Sequence, residues 1–144
     1  MANLRAFRSG CNVLAYEKIG IRYAMVCAWA MMLDYDAIAM LIGSQSETGK
    51  HLAIGDKVGV SALADGQRDY ALQIGEGHSS NKDKLLGIPY ENDHGLILVK
   101  GSKVMMKCEV SDIFDMNGDS LVMLHVDSYI NDDKVDFLAL EDVL

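Results

Sequence analysis

The sequence predicts a mainly β protein, a small antiparallel β-barrel of six or seven strands with two or three short helices covering its ends. Apolar or alternating segments of strand length recur along the chain and end at turn residues, of which Asn117-Gly118 is the strongest hairpin signal. Long helical patterns do not separate the strands, which disfavours a parallel α/β sheet. The chain carries no repeat of about 20–50 residues and no low-complexity linker. We therefore expect a single domain over residues 1–144.

The individual elements follow from apolar runs and from alternation between apolar and polar residues. Predicted strands cover residues 10–16, 21–29, 37–42, 57–63, 95–100, 103–113 and 120–129, and residues 135–140 are a candidate edge strand. Predicted helices cover residues 45–54 and 67–74, with a helical turn at 82–86. Residues 30–36 are predicted to be a loop, in which Met31 and Met32 either wall a flat ligand or belong to the core. The glycine-rich stretch 75–81 is predicted to be a mobile loop.

The composition excludes several classes of function. Acidic residues outnumber basic ones, 21 to 13, and the formal net charge is −8. Nucleic acid is therefore not an expected partner, because neutralising its phosphates needs clustered Lys and Arg. No apolar run approaches the length of about 20 residues that spans a bilayer, and no apolar signal-peptide block follows Met1. We expect a cytoplasmic protein without membrane association.

The three cysteines do not suggest metal binding. Cys11, Cys27 and Cys108 lie far apart in apolar segments, and no CxxC pair is present. We expect buried, reduced thiols and no metal site. No Ser-His-Asp or Cys-His spacing indicates nucleophilic catalysis, so no catalytic residue is assigned.

The candidate chemistry is concentrated in residues 37–50. The six apolar residues 37–42 show no polar alternation, which predicts a strand buried on both faces. Ser44 lies three residues before Glu47, the spacing of a capping box at a helix start. Polar side chains then crowd the first turn of the predicted helix: Ser44, Ser46, Thr48 and Lys50. This pattern is typical either of a plain helix cap or of a site for a phosphate monoester.

Two further features are candidates for ligand contact. In the strand 21–29, one face carries the small residues Ala24, Val26 and Ala28, which either leave room for a flat group or fit a crowded barrel interior. His78 lies in the glycine-rich loop and is the histidine best placed to touch a ligand. The alternative for His78 is an ordinary exposed loop residue.

The order of these elements resembles the flavin reductase-like, FMN-binding split-barrel family. A hairpin, a strand ending in Trp29, a strand and the helix start Gly-Ser-Gln-Ser-Glu-Thr-Gly-Lys follow one another as in that family. The later segments Gly-Leu-Ile-Leu-Val-Lys, Lys-Cys-Glu-Val and Gly-Asp-Ser-Leu-Val also fall in the family's order. The resemblance covers roughly residues 10–130.

The resemblance implies a six-stranded antiparallel split β-barrel that forms a homodimer, with FMN near the dimer interface. It implies that NADH or NADPH donates a hydride to the flavin. The FMN phosphate would be held by Ser44, Ser46, Thr48 and Lys50. The ring system would lie against Cys27, Ala28, Trp29, Ala30 and Met31. His78 is a further candidate cofactor contact because of its place in the glycine-rich loop.

Three positions depart from the family's pattern. Val26 and Ala28 stand where many members have Thr and Ser, and Ser120 stands where many have His. These departures affect nicotinamide docking more than flavin binding. They leave open a non-enzymatic FMN-binding module that passes electrons between proteins, and a split barrel that holds haem or no cofactor.

Overall fold

The computed structural model describes residues 4, 6–76 and 83–143, and it confirms a mainly β fold with few helices. The strands in this part of the chain are β1 (Asn12–Lys18), β2 (Ile21–Cys27), β3 (Ala30–Asp34), β4 (Ala37–Ile42), β5 (Lys57–Ala62), β6 (Tyr90–Asp93), β7 (Leu96–Val99), β8 (Val104–Met116) and β9 (Asp119–Asn131). The helices are α1 (Glu47–Lys50) and α2 (Arg68–Ile74), with 3₁₀ turns at Asp65–Gln67 and Leu140–Asp142.

All strand pairs are antiparallel and belong to one sheet, ordered β3-β4-β9-β8-β5-β1-β7-β6, with β2 paired to β1. The expectation of a six-stranded barrel was wrong in its count, because nine strands occur in the described residues. The sheet is also not closed, since β2 and β4 form no ladder there. The bond from the Leu41 N–H to the Trp29 carbonyl (2.9 Å) continues the β3–β4 pairing by one position, since Ala30 lies opposite Met40.

Residues 30–36 form one arm of a hairpin and not the predicted loop. β3 pairs with β4 from Ala30 opposite Met40 to Asp34 opposite Ala37. All five residues of β3 are exposed, and its apolar side chains alternate onto both faces. The alternation between apolar and polar residues that marks a half-buried strand is therefore missing from the sequence.

The helix predicted over 45–54 is much shorter, because α1 spans four residues. Beyond it, the Asp56 carboxylate accepts the Ala53 N–H at 2.9 Å, and Gly55 adopts φ 95°. Such a local bond from an Asp side chain offers the backbone an alternative to helix. The apolar residues of 52–54 thus belong to a turn.

Three two-residue turns with positive φ at both positions connect adjacent strands: Ile19-Gly20, His94-Gly95 and Asn117-Gly118. This geometry matches the twist of the flanking strands and is the favoured hairpin connection. Ile19 is the unusual member, since a β-branched residue at φ 52° is strained.

Two hydrophobic clusters lie on opposite faces of β1. The inner core comprises Leu14, Tyr16, Tyr23, Cys27, Ile38, Met40, Ile42, Leu52, Val58, Val60, Cys108, Val110, Val122, Leu124 and Val126. Six strands contribute to it, namely β1, β2, β4, β5, β8 and β9. The outer core comprises Cys11, Val13, Ala15, Ala24, Leu63, Ala71, Ile74, Leu85, Ile88, Ile97, Val99 and Leu138. Because successive β1 residues point to opposite faces, this one strand serves both clusters.

The C-terminal segment, residues 136–140, lies between the chain before β1 and the chain after β5. The predicted strand over 135–140 is not formed; the segment makes isolated bridges at Gly10–Ala139 and Ala64–Phe137. Its backbone is nonetheless fixed, since the Leu138 N–H donates to the Leu63 carbonyl (2.9 Å) and the Leu138 carbonyl accepts the Cys11 N–H (3.2 Å). Leu138, buried in the outer core, anchors it.

Candidate functional site

A cleft of about 1040 Å³ opens at the end of the inner core nearest Asn12. Its floor is made by inner-core side chains, with Ile38 from β4, Val60 from β5 and Val126 from β9. One wall is the β3–β4 hairpin, and the opposite wall is the C-terminal segment with residues 8–10. The cleft is therefore bordered by both the β3–β4 hairpin and the C-terminal segment.

The cleft is suited to a flat apolar group. Met31, Met32 and Met106 line it together with the aliphatic floor, and thioether side chains adapt their shape to a ligand. Met31 and Met32 are 63% and 62% exposed, so nothing in the described chain covers them. The volume of the cleft is at the upper end of the range of about 300–1,000 Å³ that is typical of small-molecule sites.

Charged residues occur at the rim and not at the floor. The carboxylates of Asp65, Asp136 and Asp142 line the side formed by the chain termini, together with Arg8. Arg8 bonds the exposed Glu141 carboxylate at 2.9 Å. Among the described residues that line the cleft, Arg8 is the one Arg or Lys.

The structure places the predicted ring contacts in different environments. Ala30 and Met31 line the cleft. Cys27 is buried, and its thiol donates to the carbonyls of Trp29 and Leu41, both at 3.3 Å. Burial raises the pKa of the Cys27 thiol, which makes it unreactive near neutral pH. Trp29 is 67% exposed and belongs to neither core.

The small-residue face of β2 is not open to a ligand. Ala24 is buried in the outer core, where Val26 also packs. The ammonium of Lys84 donates to the Ala24 carbonyl at 3.2 Å and covers the strand further. For Ala24 and Val26 the crowded interior is the alternative observed, whereas Ala28, which follows β2, is half-buried and belongs to neither core.

The turn at residues 43–50 is organised differently from the predicted capping box. Ser46, not Ser44, is the N-cap of α1, and its hydroxyl accepts the Gly49 N–H at 3.2 Å. Ser44 instead donates its N–H to the Asp119 carboxylate at 2.9 Å. Thr48 is only 1% exposed, and its carbonyl accepts a hydrogen bond from Tyr16.

The charges at this turn are already paired within the protein. The Lys50 ammonium lies 3.3 Å from the Glu47 carboxylate, and the His51 ring lies 3.5 Å from it. The hydrogen bond from Lys50 lowers the pKa of Glu47, with His51 adding to the effect, so the carboxylate stays ionised. With Asp119, the turn presents two carboxylates beside one lysine. The two carboxylates disfavour a phosphate dianion at this turn.

The turn and the cleft are separate places. Neither Ser44, Ser46, Thr48 nor Lys50 lines the cleft. α1 is tied to the other end of β1, where Tyr16 bonds Thr48 and Lys18 bonds the His51 carbonyl. At about 3.3 Å per residue, the four residues from Asn12 to Tyr16 span roughly 13 Å. His78, the remaining predicted contact, lies outside the described residues.

Sequence reasoning missed part of the cleft. Tyr35 at the hairpin turn and Phe137 in the C-terminal segment both line it. Phe137 is 58% exposed, whereas its neighbour Leu138 is buried. Nothing in the sequence of this apolar pair indicates which of the two residues lines a cleft and which belongs to the core. The Met31-Met32 pair is the sequence feature that could have indicated the hairpin side of the cleft, because one of its two interpretations was the wall of a ligand site.

Other kinds of site receive no support within the described part of the chain. No group of three His, Cys, Asp or Glu side chains there is placed to hold a metal ion. All three cysteines are free and buried. No helix among the described residues is long and apolar enough to cross a bilayer.

Comparisons with known proteins identify what this architecture is similar to. The sequence model of the family described as "Flavin reductase like domain" matches residues 4–141. The fold is similar to that of the NADH:FAD oxidoreductase SgcE6 from Streptomyces globisporus, with TM-score 0.84 and 14% identity, covering 92% of this chain and 81% of that one. No curated protein sequence matches the chain.

Two further solved structures share the fold. An FMN-binding protein from Thermus thermophilus has TM-score 0.78 and 16% identity, covering 95% of this chain and 86% of that one. Flavoredoxin from Methanosarcina acetivorans has TM-score 0.80 and 11% identity, covering 91% and 73%. At these identities the likeness establishes the fold alone.

Proposed function

Because this chain belongs to the flavin reductase like domain family, we propose that it is an NAD(P)H:flavin oxidoreductase that takes FMN. The observation that carries the proposal is the cleft with an apolar floor, to which Ala30 and Met31 contribute. The family resemblance assigns these two residues to the flavin ring. Their appearance in a cleft of ligand size links the family assignment to a physical site.

The residues of the cleft have definable roles toward a bound flavin. Ile38, Val60 and Val126 would contact the ring and exclude water from one of its faces. Met32 would contact it from the hairpin, because it lies opposite the floor residue Ile38 and is exposed and flexible. The flavin, when bound, supplies the hydride-accepting chemistry, and the protein supplies position and environment.

The test is reduction of added FMN by NADH or NADPH under anaerobic conditions, followed as loss of the oxidised flavin absorbance. We expect reduction to depend on the protein with at least one of the two nicotinamide nucleotides. Flavin that binds but stays oxidised with both nucleotides would refute the reductase and leave flavin binding intact.

A non-enzymatic electron-transfer module is the second candidate, and one observation favours it. Ser120 replaces the family's frequent His, and the nearest histidine along β9, His125, is exposed and held by Asp127 at 2.9 Å. The described part of β9 thus offers no imidazole beside Asp119. Reduction of the bound flavin by a chemical reductant, without reduction by either nicotinamide nucleotide, would favour this candidate.

We also propose that the protein is a homodimer. Apolar side chains are exposed on β3 and on the hairpin between β8 and β9: Trp29, Met31, Met32, Leu33, Phe114 and Met116. Contiguous exposed apolar surface is typical of an interface, and two-fold dimers are the commonest oligomers. Light scattering should give twice the chain mass of 15.8 kDa. A monomer at micromolar concentration would contradict this.

A further inference from the structure

We infer that the cleft contains a second subsite, for a neutral quinone, which is formed by Tyr129, Asn131 and Phe137. The quinone would be the electron acceptor, so the inference rests on the proposed function and extends it to the second substrate. The observation that carries it is a bulge in β9 that turns two polar side chains into the cleft.

The bulge consists of one extra residue in β9, Asp127. Cys108 of β8 lies opposite Val126, whereas the preceding residue, Lys107, lies opposite Ser128. No residue of β8 therefore lies opposite Asp127. A bulge bends its strand and re-aims the side chains beyond it, and bulges are over-represented beside active sites.

The bulge decides which side chains of β9 face the cleft. In an unbroken strand, the face that carries Val126 would continue with Ser128 and Ile130. With the extra residue it continues with Tyr129 and Asn131, and both of these line the cleft. The backbone of β9 thus places a phenol and an amide where a serine and an aliphatic side chain would otherwise lie.

Phe137 lies beside the same end of the β8–β9 ladder. The Lys103 ammonium is 5.6 Å from the centre of the Phe137 ring, and the next residue, Val104, is the cross-strand partner of Asn131. Phe137 and Val104 both line the cleft. Tyr129 and Phe137 are 60% and 58% exposed, so both aromatic rings are accessible to a flat ligand.

The polar groups of this subsite are available to a ligand. Within the described part of the chain, the Tyr129 hydroxyl and the Asn131 side-chain amide have no hydrogen-bond partner. Both groups can donate to a carbonyl oxygen. A flat ring that carries carbonyl oxygens and accepts two electrons from a flavin is a quinone.

The charge at the rim favours a neutral quinone over an anionic one. Asp136 directly precedes Phe137, and the carboxylates of Asp65 and Asp142 line the same side of the cleft. Arg8, the one Arg or Lys among the described lining residues, is bonded to the Glu141 carboxylate. A sulfonated or carboxylated quinone would therefore be repelled.

The reaction balances with the reductant of the proposed function. NADH or NADPH reduces the flavin. The quinone then takes two electrons and a proton from the reduced flavin and one further proton from water. The products are the hydroquinone and oxidised flavin, and Tyr129 and Asn131 serve only to bind the quinone oxygen.

The first test is binding of duroquinone to the full-length protein without flavin, measured by calorimetry and by the shift in Tm. Duroquinone is neutral, and its four ring methyl groups prevent addition to thiols. Tyr129→Ala should weaken binding at least about tenfold and Tyr129→Phe about threefold, because they remove the ring with its hydroxyl and the hydroxyl alone. Ile130→Ala is the matched control, since Ile130 is the exposed neighbour that does not line the cleft, and it should change binding less than about twofold.

Two results of this titration would overturn the inference. One is equal weakening by Tyr129→Ala and Ile130→Ala. The other is the absence of binding to the unaltered protein up to the solubility limit of duroquinone.

The role of charge is tested with two quinones that share one ring system, anthraquinone sulfonate and hydroxymethylanthraquinone. The neutral compound should bind at least about threefold more tightly at low salt, and added salt should reduce the difference. Tighter binding of the sulfonate would overturn the restriction to neutral quinones.

Anaerobic turnover with FMN and NADH or NADPH separates this inference from the proposed function. Quinone reduction should saturate with duroquinone, and Tyr129→Ala should raise KM more than it lowers kcat. Reduced flavin free in solution would give a rate that rises linearly with duroquinone and is the same in both proteins. That linear dependence, with FMN reduced normally, would overturn the inference alone, whereas failure to reduce FMN would remove the proposed function.

Discussion

Gly59 is the position at which a single added methyl group should damage this fold most. It lies in the middle of β5, opposite Ala15 of β1 and Lys107 of β8. A Cβ at this position would lie 1.7 Å from the Ile97 carbonyl oxygen of β7. Unbonded carbon and oxygen need about 3.3 Å, so the strands would have to separate by roughly 1.6 Å.

The size of the effect follows from that deficit. The obstacle is a backbone carbonyl and cannot move aside as a flexible side chain does, and β5 is held by ladders on both edges. Overpacking in a core costs typically about 1–3 kcal/mol and occasionally more. We expect Gly59→Ala to lower the free energy of unfolding by at least about 3 kcal/mol, or roughly 6–12 °C in Tm for a chain of this length.

The assay is thermal and urea unfolding beside a matched glycine. Gly66→Ala is the control, because a Cβ there meets nothing within 4 Å and the site is exposed. It should change the free energy of unfolding by less than about 0.5 kcal/mol. A Gly59→Ala protein as stable as the control would refute the close approach of β5 and β7, and with it the placement of Val60 in the cleft floor.

Three further outcomes are expected. Tyr16→Phe should cost about 1–3 kcal/mol in unfolding free energy, because it leaves the buried Thr48 carbonyl without its donor; an unchanged urea midpoint would contradict this. Ile19→Asn should raise Tm, since Asn tolerates the positive φ at this exposed turn residue; a lower Tm would show that the turn is not strained as described. The hydrogen bond to Asp127 raises the pKa of His125, so the folded state favours the imidazolium. The unfolding free energy that His125 adds, measured as the difference from His125→Gln, should be fully present below the unfolded pKa of about 6.5. It should be lost as pH rises through the raised pKa of His125 in the folded state. Equal pH profiles would contradict it.

The fold class was predictable because its signals are local. Asn117-Gly118 supplies a hairpin turn that needs no tertiary context, and residues 37–42 form the predicted β4 strand with an uninterrupted apolar run. β3 was not predictable, because its methionines are exposed on both faces and give no alternation. β3 is an edge strand, and it forms because its backbone pairs with β4, which the local sequence of β3 does not show.

The candidate site was predictable only in part, and for a physical reason. The family resemblance assigned Ala30 and Met31 to one place, the flavin ring, and both line the cleft. The phosphate assignment rested on the hydroxyls, the lysine and the N–H groups of a helix start, and one of those N–H groups, that of Ser44, donates to Asp119, 75 residues away. A contact between residues so distant in sequence is set by the register of β4 on β9, which no local pattern reveals.

The most direct test of the central claim is the affinity for riboflavin of Ala30→Trp, a variant that fills the cleft. Ala30 is exposed on β3 and lines the cleft, so a large side chain there should displace a flavin ring without disturbing either core. Ala53→Trp, at an exposed position on the turn after α1, is the control. If the flavin ring lies in this cleft, Ala30→Trp should bind riboflavin at least about tenfold more weakly than the control, a loss of about 1.4 kcal/mol. Equal affinity in the two variants, both folded, would contradict the placement of flavin in the cleft.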